Sequence, residues 1–172
     1  MAERQVNGVC GKRERRSHAF TSHQEEWMIK GISHAGIGVR DMERSLTFYR
    51  DMLGLDVIGE LEAEGPIVDD ITGLKGANVR IVNLKCCEGQ ELELFQYNAP
   101  TTSTFPSDYR QCNGGIIHVA LIVDNLMELY EKLKERGVKF NSKPYDLGGG
   151  LVVYMRDPDG VTVELMQKHA ES

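Results

Sequence analysis

Four side chains able to hold a metal ion recur in register along this chain. His34 opens the run His34-Ala-Gly-Ile-Gly-Val39, and Glu93-Leu-Phe-Gln96 comes later. His118 opens a second run, His118-Val-Ala-Leu-Ile-Val123, and Glu164-Leu-Met-Gln167 follows it in the same order. Each half thus supplies one imidazole and one carboxylate at matching places. Two of each form a donor set suited to Zn, Ni, Co, Mn or Fe, with positions left for water or substrate. The expected cofactor is one divalent metal ion per site, held by His34, Glu93, His118 and Glu164, and the expected class is a metalloenzyme. A carboxylate removed from water is costly unless it is paired or coordinates a cation, so two glutamates gain from such company.

Strand side chains alternate between faces, and parity places all four candidates together. In the first histidine strand Ala35, Ile37 and Val39 form an apolar face, while His34 shares the other with Gly36 and Gly38. In the second, Val119, Leu121 and Val123 form the apolar face, and His118 lies with Ala120. Leu92 and Leu94 oppose Glu91, Glu93, Phe95 and Tyr97, just as Val163 and Leu165 oppose Thr162, Glu164 and Met166. The four candidates therefore fall on the face turned from the helices, the one that would line a concave sheet. Gly36, Gly38, Phe95, Tyr97 and Met166 share that face and are the expected substrate pocket.

The elements that must position these groups repeat as well. Module one spans 28–97: a strand to Val39, the cap Asp41, a helix with Met42, Leu46, Tyr49 and Leu53 at helical spacing, a stop at Gly54, then three strands. Its segment Glu62–Gly76 reads as an inserted loop, with Gly65-Pro66 and Asp69-Asp70 as turn signals. Module two spans 115–168: a strand Ile116–Val123, a helix Asn125–Arg136 stopped by Gly137, and three strands. The last two of these are joined by the turn Asp157-Pro-Asp-Gly160. Each half reads β-α-β-β-β, which makes the fold class α+β. A connector, 98–114, joins the modules, and residues 1–27 read as a polar, flexible extension outside one domain spanning 28–168.

Composition narrows the partners. At 172 residues roughly 70% of the unfolded chain's surface can be buried, so the core needs no disulfide. A net charge of −6 argues against general nucleic-acid affinity. Cys10, Cys86, Cys87 and Cys112 form no Cys-x-x-Cys motif, and the adjacent pair in a strand points to opposite faces; reduced thiols and a cytoplasmic setting are expected. No apolar run has the length of a membrane span.

The run from His34 through Arg40-Asp-Met-Glu-Arg-Ser-Leu-Thr-Phe-Tyr-Arg-Asp-Met-Leu-Gly-Leu55, with Gly114-Gly-Ile-Ile-His118-Val-Ala and Asp157-Pro-Asp-Gly-Val-Thr-Val-Glu164-Leu, resembles the vicinal oxygen chelate superfamily. That superfamily holds glyoxalase I, methylmalonyl-CoA epimerase, extradiol dioxygenases and bleomycin-resistance proteins. The resemblance covers 29–168 and implies paired modules forming an open barrel around a metal, a small-molecule substrate, and a homodimer. It places the metal positions at His34, Glu93, His118 and Glu164. It implies a lyase or isomerase in which Glu164, or else Glu93, removes a proton next to a carbonyl of a substrate chelated through adjacent oxygens. The alternatives it carries are an Fe(II) extradiol-type dioxygenase and a non-catalytic binding or resistance protein. Where glyoxalase I has an arginine and an asparagine toward glutathione, this chain has Gly38 and Tyr97, which argues against glutathione as cosubstrate.

Overall fold

The computed structural model describes residues 31–169 apart from 88, 102–110, 113 and 117. The expected N-terminal extension and most of the connector lie outside the described residues. The first module runs β1 (His34–Gly38), α1 (Met42–Leu46), β2 (Asp56–Glu64), α2 (Pro66–Thr72), β3 (Asn78–Cys87) and β4 (Gln90–Ala99). The second runs β5 (Val119–Ile122), α3 (Leu126–Glu135), β6 (Lys139–Phe140), β7 (Tyr145–Asp146), β8 (Gly150–Arg156) and β9 (Thr162–Lys168).

Both sheets have one plan. The first has the order β1-β4-β3-β2, with β1 parallel to β4 and the other pairings antiparallel. In the second, β5-β9-β8-β6, β5 is parallel to β9, and β7 also pairs with β8. Since β6 meets the Arg156 end of β8 and β7 its Leu151 end, the two short strands act as one broken outer strand. The expected α+β class holds, and both halves follow the β-α-β-β-β order apart from the second helix in the first module and the divided outer strand in the second.

The helices start where the sequence provides caps. Asp41 Oδ1 accepts the Arg44 N–H at 3.1 Å and Asn125 Oδ1 accepts the Glu128 N–H at 3.4 Å. The repeated glutamines add a second tie: Gln96 Oε1 accepts the Met42 N–H at 2.6 Å, and Gln167 Oε1 the Leu126 N–H at 2.8 Å. Each module's last strand thereby holds a first-turn donor that a helix cannot satisfy internally. Leu126, Tyr130 and Leu133 bury one stripe of α3, each worth about 1.5–3 kcal/mol of apolar transfer for a fully buried side chain. The helix-side faces of both sheets feed one core, from Ile37, Leu92 and Leu94 to Val153, Val163 and Leu165.

Three details depart from the sequence reading. Glu62–Gly76 is not simply a loop: β2 runs on to Glu64 and α2 follows, started by Gly65 at φ +99 with Pro66 in its first turn. Asp69 then closes the segment by accepting the Gly76 and Ala77 N–H groups at 2.8 and 2.7 Å. The first helix continues beyond Leu46 as a π-helical segment, Thr47–Met52, in which Leu53 N–H reaches back to Phe48 O. Finally, β5 begins at Val119, where its pairing with Val163 starts, so His118 immediately precedes the strand.

Candidate metal centre

Burial follows strand parity residue by residue. Ile37 and Val39 are buried in the core, while His34, Gly36 and Gly38 are exposed on the other face. Val119, Leu121 and Val123 pack against the core, and Ala120 and Ile122 do not. Leu92, Leu94, Val163 and Leu165 are buried on the helix side. The candidate-bearing face of each sheet is thus turned from the common core. Adjacent Cys86 and Cys87 divide likewise, Cys86 packing against the core and Cys87 exposed, and burial pushes the Cys86 thiol pKa up.

On each open face one histidine meets one glutamate. His34 Nε2 lies 3.3 Å from Glu93 Oε2, and His118 Nε2 lies 3.1 Å from Glu164 Oε2. The register explains the match, for the glutamate sits beside the residue two past the histidine: Gly36 pairs with Glu93 and Ala120 with Glu164. Two ligands about 2.1 Å from one ion, at roughly a right angle, stand about 3 Å apart, so each pair is spaced as neighbouring ligands are. The residues fit a borderline divalent metal by donor type and by this spacing. The structure brings the four candidates together as two pairs, not as one cluster: among the described residues no three His, Cys, Asp or Glu side chains gather to hold an ion.

The third strand of each sheet adds a neighbour. Asn83, opposite Glu93, donates from Nδ2 to Glu93 Oε1 at 2.8 Å. Tyr154, opposite Glu164, stacks its ring 5.3 Å from that of His118. Burial, then the nearby Glu164 charge, raises the Tyr154 phenol pKa, which keeps it a hydrogen-bond donor. Below Glu164 on the same face, buried Thr162 receives Gln111 Nε2 and Arg156 Nη1, each at 2.6 Å. His118 Nδ1 is buried and makes no hydrogen bond.

The expected pocket residues share the open faces, with one adjustment. The space in front of Gly36 is not empty, because a Cβ there would stand 3.1 Å from Phe95 Cε2; the ring lies against the glycine. A Cβ added at Gly38 would meet nothing within 4 Å. Phe95 faces Ile81 across the ladder, and Met166 faces Val152. Sequence reasoning placed Thr162 on this face but passed over Asn83 and Tyr154. For Tyr154 the count depends on the connection: with the five residues 157–161 between the strands, Arg156 faces Thr162 and Tyr154 faces Glu164.

No helix among the described residues is long and apolar enough to cross a membrane. Residues 31–165 match the model of the Glyoxalase/Bleomycin resistance protein/Dioxygenase superfamily. The chain is 28% identical to mitochondrial methylmalonyl-CoA epimerase of Mus musculus over 152 residues, covering 86% of this chain and 79% of that protein. It is 26% identical to a probable lactoylglutathione lyase of Synechocystis over 138 residues, covering 79% of this chain and 94% of that protein. Its fold matches a glyoxalase family protein from Bacillus cereus with a TM-score of 0.78 at 19% identity, over 86% of this chain and all of that one. With the module plan and the sequence match in agreement, the chain belongs to the glyoxalase/bleomycin resistance protein/dioxygenase superfamily.

Proposed function

We propose that this protein is a divalent-metal-dependent lyase or isomerase that removes a proton next to a carbonyl of a small substrate chelated through adjacent oxygens. The observation that carries this reading is the pair of equivalent His–Glu contacts, His34 with Glu93 and His118 with Glu164, one on each open face. The names of two relatives, an epimerase and a lyase, support proton-transfer chemistry.

Because one chain offers two pairs, a homodimer completes the set: His34 and Glu93 of one copy meet His118 and Glu164 of the other. The unroofed faces support this arrangement, since Ile122 beside the second pair is 65% exposed and the His34 side chain 42%. A bound Zn, Ni, Co, Mn or Fe ion would polarise the substrate carbonyl and stabilise the oxyanion that develops. Glu164 is the base. It is buried and has His118 against one oxygen. Glu93, steadied by Asn83, is the second carboxylate and serves on the opposite face of the substrate. Tyr154 is placed to donate a hydrogen bond beside Glu164. Phe95, Tyr97 and Met166 would contact the substrate body and exclude water.

Mixing chains tests the arrangement. His34→Ala and His118→Ala homodimers each spoil every site, but a mixed dimer regains one intact site. Metal binding and activity recovered on mixing support the shared site; no recovery, with dimers exchanging freely, contradicts it. Proton transfer is tested by solvent deuterium entering the α-position of α-hydroxy acid and thioester candidates, and by its loss in Glu164→Gln.

A further inference from the structure

Outside the candidate metal centre, a cavity of about 350 Å³ lies between the first module's helix and the β6–β8 edge of the second module. In a chain of net charge −6 it is lined by four cations, Arg44, Arg136, Lys139 and Arg156. Its single lining carboxylate, Asp157, is buried and committed: its oxygens accept from the Tyr49 hydroxyl and from the Asp159 and Val161 N–H groups. Arg44 is neutralised by Asp159. The other three cations have no carboxylate at ion-pair distance among the described residues. Arg136 donates to a backbone oxygen, that of Asp51, whose carboxylate is held by Arg50. Arg156 uses only Nη1, toward Gly160 O and Thr162 Oγ1, which leaves the Nε–Nη2 edge open.

Lys139 and Arg156 are direct partners across the antiparallel β6–β8 ladder. Like charges directly opposite on one face of a sheet destabilise it. Two unneutralised cations so placed, with a third beside them, form a site that gains stability by taking up an anion. An arginine edge matches the two oxygens of a phosphate or carboxylate, and a lysine supplies a point charge beside it. Phe48, Met52 and Val138 complete the wall with apolar surface, and the volume suits a small organic molecule.

We propose that this cavity binds a small organic oxyanion, a phosphate ester or carboxylate on a compact apolar body, with its charged end on Lys139, Arg156 and Arg136. The proposal does not rest on the proposed metal chemistry, and the two places meet only where Arg156 donates to Thr162 below Glu164.

The test is calorimetric titration of the full chain with phenyl phosphate and with benzoate, at ionic strength matched with chloride. Saturable binding is expected, weakened at least tenfold in Lys139→Glu and in Arg156→Gln. Tighter binding of phenyl phosphate assigns the head group as phosphate, and tighter binding of benzoate assigns a carboxylate. Lys139→Glu should also raise the thermal midpoint without ligand, because it turns a repelling pair into an ion pair; a merely structural lysine would not couple that gain to lost anion binding. Saturation by neither probe, or binding unchanged in a folded Lys139→Glu variant, overturns the proposal.

Discussion

The hydroxyl of Tyr49 donates to Oδ2 of Asp157 at 2.9 Å, joining the first module's helix to the β8–β9 turn of the second. Both groups are buried. Tyr49→Phe removes a donor from a buried carboxylate and should cost about 1–3 kcal/mol in urea unfolding. An unchanged midpoint would mean that the hydroxyl carries no weight at this junction.

The same contact sets a pH dependence. Burial, opposed by the hydrogen bonds of Tyr49, Val161 and Asp159, raises the Asp157 pKa above its ordinary value. The folded state therefore holds this proton more tightly than the unfolded chain does. The contribution to stability is full below the unfolded pKa of about 4 and is lost as pH rises through the folded pKa. The stability difference between wild type and Asp157→Asn should accordingly fall as pH rises across that window. A difference that grows with pH would reverse the sign assigned here.

Much of this was legible in the sequence because a strand's period is fixed. Parity alone placed His34, Glu93, His118 and Glu164 opposite Ile37, Leu94, Leu121 and Leu165, and the structure keeps those faces. Cross-strand neighbours were harder. Asn83 reaches Glu93 through a β3–β4 ladder whose register shifts between Lys85 and Cys87, and no local pattern announces a bulge there. The helix Pro66–Thr72 was hidden by its own start signals, since Gly-Pro marks a turn as readily as a first helical turn. The separation of the four candidates into two pairs depends on how the modules share a core, a long-range matter that periodicity does not encode.

Two glycines should respond differently to a methyl group. At Gly150, with φ +147, a Cβ would stand 2.1 Å from the Gln167 carbonyl oxygen, so Gly150→Ala must distort the β8–β9 ladder. A loss of about 3 kcal/mol or more is expected. At Gly36 the obstacle is the edge of the Phe95 ring, which can turn; Gly36→Ala should cost about 1 kcal/mol while shifting KM for any substrate lying against that ring. Equal losses at the two positions would contradict these contacts.

The glutamine ties predict a matched pair of effects. Gln96→Ala and Gln167→Ala each free a helix N-terminal N–H, and each should cost about 1 kcal/mol. Hydrogen exchange at Met42 and Leu126 would locate the loss, with faster exchange only at the untied amide. Uniform change across the chain would point elsewhere.

The most direct test of the metal reading is elemental mass spectrometry of protein purified without added metal, beside His34→Ala and His118→Ala. About one Zn, Ni, Co, Mn or Fe per chain is expected in the wild type, with its loss in both variants, although the two histidines sit in different modules. Absence of metal even after reloading, or retention in both folded variants, would contradict that reading.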